Sequence, residues 1–82
     1  MSKFNDPILV HIATVREHFD SVAYIKTQLA IGNLSAALEA WRELGEDVMR
    51  ILWRAPSKGG IFTTQERKLL DQASVEDYLA RP

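Results

Sequence analysis

The residues best suited to chemistry lie in one short stretch, WRAPSKGGIFTTQER, which runs from Trp53 to Arg67. Gly59 and Gly60 would let backbone N–H groups turn toward an anion. Thr63 opens a helix whose first N–H groups add the positive end of a dipole. Lys58 and Arg67, with Arg54 close by in sequence, supply cations to close such a site. The same letters also read as a plain connector. Pro56 ends one helix, the glycines turn the chain, Phe62 plugs the core and Thr63 caps the next helix. A Walker-type phosphate loop is excluded, because it needs G-x-x-x-x-G-K-[ST] after a strand and here the lysine precedes the glycines. Cradle and connector both remain open from sequence.

The other candidate groups are less suited to a reaction. His11 and His18 are seven residues apart, which is roughly 10 Å along a helix and too far to share a metal ion. A helical zinc pair uses i and i+4, so both histidines are expected as partly exposed polar residues and no metal site is expected. Glu39, Glu43, Glu46 and Asp47, with Arg42 and Arg50 among them, read as a solvated helix face or as a docking surface for a basic partner. The serines and histidines fall on helices or caps, with no G-x-S-x-G elbow and no cysteine nucleophile. No catalytic residue and no cofactor are therefore expected. Trp41 falls on a core stripe. Trp53 lies off it, placed to stack on a base, to anchor a protein interface, or to be covered by the following helix.

Composition narrows the classes further. Eighty-two residues make one domain with a modest core. The chain has no cysteine, which removes disulfides and cysteine-zinc sites as sources of stability and fits a cytoplasmic location. Ten Lys+Arg stand against eleven Asp+Glu. That balance disfavours both a strongly basic nucleic-acid binder and an acidic nucleic-acid mimic. The opening MSKFNDPILVHIATV lacks a signal-peptide pattern, and no apolar run approaches the roughly 20 residues of a membrane span.

The elements that must position these residues are helical. Asn5 or Asp6 caps a first helix that begins at Pro7, and Gly32 stops it, predicting a helix over 7–31. Ile8, Ile12, Val15, Phe19, Val22 and Leu29 form its apolar stripe. Lys26 lies on that stripe, with its stem along the core edge and its ammonium in water. After a Gly-Asn turn, Ser35 is expected to cap a second helix over 35–54, with Ala37, Trp41, Leu44, Val48 and Ile51 on one face. Gly45 marks a kink or break in it, at a cost of about 1 kcal/mol relative to alanine. The TTQE string forms a capping box for a third helix over 63–73, and SVED starts a short fourth segment over 74–80, or a bent continuation. The expected fold is all-α, a small bundle of three to four helices led by an antiparallel helical hairpin.

Two resemblances accompany these readings. GNLSAALEAW looks like the inter-helix turn of tetratricopeptide-type hairpins, over about ten residues and one hairpin only. The segment LWRAPSKGGIFTTQER resembles a W-x-A-P-x-K-G-G-x-F-T-T-x-E-R pattern of small tailed-phage proteins. It covers about a fifth of the chain and carries no site residues with it. It implies a phage product acting in the host cell cytoplasm by binding a host enzyme or a nucleic-acid complex.

The sequence therefore predicts a non-catalytic protein-interaction module, a phage-encoded modulator or inhibitor of a nucleic-acid-handling complex. Its interface candidates are the apolar residues off the core stripes, Val10, Tyr24, Leu38, Met49 and Trp53, some of which would serve a homodimer. The alternative is a phosphate or nucleic-acid binder using Arg54, Lys58, Gly59, Gly60, Thr63 and Arg67.

Overall fold

The computed structural model describes residues 6–80, which form five α-helices and one 3-10 turn. Helix α1 spans Pro7–Glu17, α2 Phe19–Ala30, α3 Leu34–Glu43, α4 Glu46–Leu52 and α5 Thr64–Ala80, with the 3-10 turn at Pro56–Lys58. The all-α class is as the sequence reads; the segmentation differs. Asp6 caps α1 as expected, its carboxylate accepting from the Ile8 N–H at 3.0 Å, while Asn5 lies outside the described residues.

The single helix expected over 7–31 is two. His18 leaves helical geometry at φ −116° and ψ 29°. The ladder nevertheless continues across it, with His18 N–H donating to Thr14 O at 3.1 Å and Val22 N–H to His18 O at 2.9 Å. The chain therefore bends at this point without unwinding. The expected helix over 35–54 divides at Gly45, whose φ of 90° no ordinary side chain adopts without strain. In contrast, α5 passes straight through Ser74, so the segments expected over 63–73 and 74–80 are one helix. The cap of α3 is Asn33 and not Ser35. Its side-chain oxygen accepts from the Ala36 N–H at 3.3 Å, which starts the helix one residue earlier.

Packing corrects the stripe on the first helix. Ile12 is 44% and Phe19 63% exposed, whereas His11 and Thr14 are buried with Val22, Ile25 and Leu29. The buried positions 11, 14, 22, 25 and 29 keep helical spacing. Two of them are polar, and each has a backbone partner that permits burial. Thr14 Oγ1 donates to Val10 O at 2.8 Å. His11 is not a partly exposed residue but 3% exposed. Its Nδ1 donates to Ile51 O at 3.1 Å and its Nε2 accepts from the Ile61 N–H at 3.1 Å. Those two bonds require the neutral ring with its proton on Nδ1.

The core gathers Val22, Ile25 and Leu29 of α2, Ala37, Leu38 and Trp41 of α3, Leu52 of α4, Phe62, and Leu70 and Ala73 of α5. Leu38, an interface candidate from the sequence, is a core residue, 6% exposed. It lies one position from Ala37 and faces α5, a second packing direction that one stripe does not capture. The α2–α3 pair is the most extensive helix contact, joined through residues 31–33, and α3 also packs on α5. Helix α1 packs on α4, and His11 bonds the last turn of α4 to the segment after the glycines. Among the described residues no helix is long and apolar enough to cross a membrane.

Replacing His11 with alanine would strand a buried carbonyl and a buried N–H. The expected loss is about 2–4 kcal/mol, against about 0.5 kcal/mol or less for Ile12→Ser on the exposed face. Urea denaturation of both variants checks this, and equal losses would contradict the assignment.

Candidate functional site

The segment between α4 and α5 brings the predicted loop residues together, and its internal bonding is dense. After α4 ends at Leu52, Pro56 starts the 3-10 turn from an extended Ala55 at φ −62° and ψ 141°, the conformation a residue before proline prefers. Lys58 N–H and Gly60 N–H both donate to Ala55 O, at 2.9 and 3.0 Å, and Gly59 N–H donates to Pro56 O at 3.1 Å. The Ile61 N–H goes to His11. Thr63 N–H donates to Glu66 Oε1 at 2.8 Å and Glu66 N–H to Thr63 Oγ1 at 3.1 Å, forming the expected capping box. The N–H groups of Lys58, Gly59, Gly60, Ile61 and Thr63 are therefore all engaged within the chain.

The glycines answer to geometry inside the fold. A Cβ on Gly60 would stand 1.9 Å from the Arg54 carbonyl oxygen. Gly59 has φ 86° and lies against Ile8, whose Cδ1 would be 2.8 Å from an added Cβ. Close backbone approach, which a ligand cradle would also use, here happens between two parts of the same loop.

Two of the three candidate cations are likewise engaged. Arg54 Nε donates to Lys58 O at 2.6 Å. Arg67 lies over the Trp53 ring, 4.8 Å from its centroid, and a terminal nitrogen donates to Trp53 O at 3.3 Å. Its Nε is buried with no hydrogen-bond partner among the described residues, so the indole face offsets part of the desolvated charge. Lys58 is exposed.

Lys26 was not among the sequence's site residues, and its ammonium is not simply in water. It donates to Ile61 O at 2.9 Å and to Glu66 at 2.5 Å, and it lies 5.4 Å from the centre of the Phe62 ring. Phe62 meets Trp41 edge-on at 5.4 Å, and Trp41 meets Trp53 at 5.6 Å. An aromatic row results, with Lys26 at one end and Arg67 at the other. The signal for it was the position of Lys26 on the buried side of its helix.

The remaining interface candidates separate. Tyr24 is 49% exposed, and Val10 is half-buried. Met49 and Trp53 are half-buried and line a groove of about 380 Å³ with Leu38, Trp41 and Leu70 below and Arg42 and Arg50 at its rim. Those rim arginines pair with Asp77 at 2.6 Å and Glu46 at 3.0 Å. A second opening, about 580 Å³, lies between α2 and α3 and includes Asp20, Tyr24, Glu39 and Glu43 in its lining. Comparison of the chain with protein-family models, curated proteins and solved structures finds no match.

Gly60→Ala is expected to abolish folding or remove most of the stability, because a backbone oxygen fills the space its Cβ needs; circular dichroism and urea denaturation read this directly. Burial of the Glu66 carboxyl opposes its ionisation, but the hydrogen bond from Lys26, the Thr63 N–H and the Lys26 charge outweigh that and hold it below the usual carboxylate range. Its stabilisation is thus present above about pH 4.3, the unfolded value, and is lost as pH falls through the lower folded value. Stability should drop with acidification over that window in the parent chain and less in Glu66→Gln.

Proposed function

We propose that this protein is a non-catalytic interaction module that works by docking to another protein through helix surfaces. The observation that carries the proposal is the amount of large apolar surface left outside a core that is otherwise closed. Leu9, Ile12, Phe19, Tyr24 and Ile31 of the first two helices and their end are 44–69% exposed, and Val75, Tyr78 and Leu79 at the end of α5 are 58–75% exposed. Single exposed apolar residues are ordinary, but grouped ones mark interaction sites. The groove beside Met49 and Trp53 adds an apolar floor of the kind an anchoring side chain fills.

The class of partner rests on the resemblance of the Leu52–Arg67 segment to small tailed-phage proteins, and is a host or phage nucleic-acid-handling complex. The residues of that pattern have folding roles: Trp53 and Phe62 pack, Gly59 and Gly60 turn the loop, Thr63 and Glu66 cap, and Arg67 stacks. A relative sharing the pattern would share this corner of the fold and bind through other surfaces. The alternative, an anion or nucleic-acid site on the loop, has less in its favour because the loop's backbone donors and two of its three cations are engaged internally.

The triple variant Val75→Ser, Tyr78→Ser, Leu79→Ser tests the module. Its circular dichroism should match the parent chain. A specific protein cross-linked to the parent in cell lysate should be lost from the variant and survive nuclease treatment. Undiminished cross-linking would overturn the role of this surface, and cross-linking that vanishes with nuclease would move the reading to nucleic acid.

A further inference from the structure

We infer that the exposed face of α1 and α2 binds a second copy of this chain about a twofold axis that crosses it between Arg16 and Asp20. The inference rests on the module reading and names the partner of one of its surfaces. Leu9, Ile12 and Arg16 fall within an arc of about 60° on α1, and Phe19 and Asp20 follow directly past His18 at the start of α2. The continuous hydrogen bonds through His18 carry that face from one helix into the next.

Charge selects the occupant. Of the lysines and arginines on α1 and α2 among the described residues, Arg16 is exposed and Lys26 is bonded inward. Neither Arg16 nor Asp20 forms an ion pair within the described chain, although their spacing of four residues would allow one. Asp20 also borders the cleft that holds Glu39 and Glu43, whose lining contains no lysine or arginine. The face thus carries a free cation on one side of its midpoint and an acidic opening on the other. A twofold operation exchanges the two sides, which is the self-complementarity an isologous contact requires. Arg16 of each chain then meets Asp20 of the other, Ile12 meets Tyr24, and the Phe19 rings lie beside the axis.

The apolar area is adequate. Leu9, Ile12, Phe19 and Tyr24 are 45, 44, 63 and 49% exposed, on the order of 400 Å² of apolar surface together. With the stem of Arg16, Thr27 and the exposed Ala13 and Ala23, the face approaches the ~800 Å² per partner of a standard interface.

Sedimentation velocity across the micromolar range tests the inference. The parent chain should sediment as a dimer that dissociates on dilution. Arg16→Asp alone and Asp20→Arg alone should each weaken it at least about tenfold, because each sets like charges against one another. An equimolar mixture of the two variants should recover the dimer, since every cross-pair is then opposite in sign. That recovery also shows that both variants are folded. A monomeric parent chain, or a dimer indifferent to both charge reversals, would overturn the inference. Either result would leave the docking role of α5 to its own experiment.

Discussion

The need to satisfy the irregular, part-buried backbone between α4 and α5 governs the rest of the structure. Residues 53–63 are half-buried or exposed except Phe62, which is fully buried near their end. Irregular backbone taken out of water must find hydrogen-bond partners, and no neighbouring strand supplies them. Part of the demand is met by the turn itself. The rest is met by Arg54 of the segment itself and by three side chains that reach in from elsewhere, His11 from α1, Lys26 from α2 and Arg67 from α5. Those three tie α1, α2 and α5 to the segment by side-chain hydrogen bonds, while α4 runs into it directly and is bonded at Ile51 O to His11. Helix α3 is tied by Trp41, which packs on Phe62 and Trp53.

That arrangement explains how so short a chain holds one structure without disulfides. Hydrophobic contacts are not directional and would tolerate several packings of five short helices. The histidine bridge, the Lys26–Glu66 pair and the capped aromatic row are directional, and they specify one packing. The bonds are also interdependent. Glu66 completes the capping box and accepts from Lys26, while Lys26 holds the carbonyl of Ile61, whose N–H is held by His11. Loss of one member exposes the others to an unmet donor or acceptor, which costs more than the single bond contributes.

The sequence made the element types and most helix ends legible, because caps and breakers act locally. Asp6, Gly45, and Thr63 with Glu66 do in the structure what their letters suggested. The stripe was read correctly at Val22 and Leu29 of α2 but not at Ile12 and Phe19. Its true buried line passes through His11 and Thr14, and a polar letter on a buried face looks like a solvated one until its backbone partner is known. The break at His18 has no proline or glycine to announce it. The glycine pair was legible as a special site but not as to its cause. Gly60 is required by the Arg54 carbonyl, six residues away in sequence and within bond-like range of any Cβ. A ligand and a neighbouring strand of the same loop ask the same thing of a glycine, and spacing alone does not distinguish them.

The surfaces left over follow from this use of residues. Arg54, Arg67 and Lys26 serve the fold. On α1 and α2 that leaves an apolar face with one free cation and one acidic opening, and on α5 a last turn of valine, tyrosine and leucine. A helix whose inner line includes histidine and threonine has displaced hydrophobic residues to its outer line. Ile12 and Phe19 stand outside because His11 and Thr14 stand inside. Directional bonding in the core and apolar surface outside it are thus two consequences of one choice of residues along α1. The polar inner line fixes the packing of the domain, and the apolar outer line is left as the exposed face on which the proposed dimer would rest.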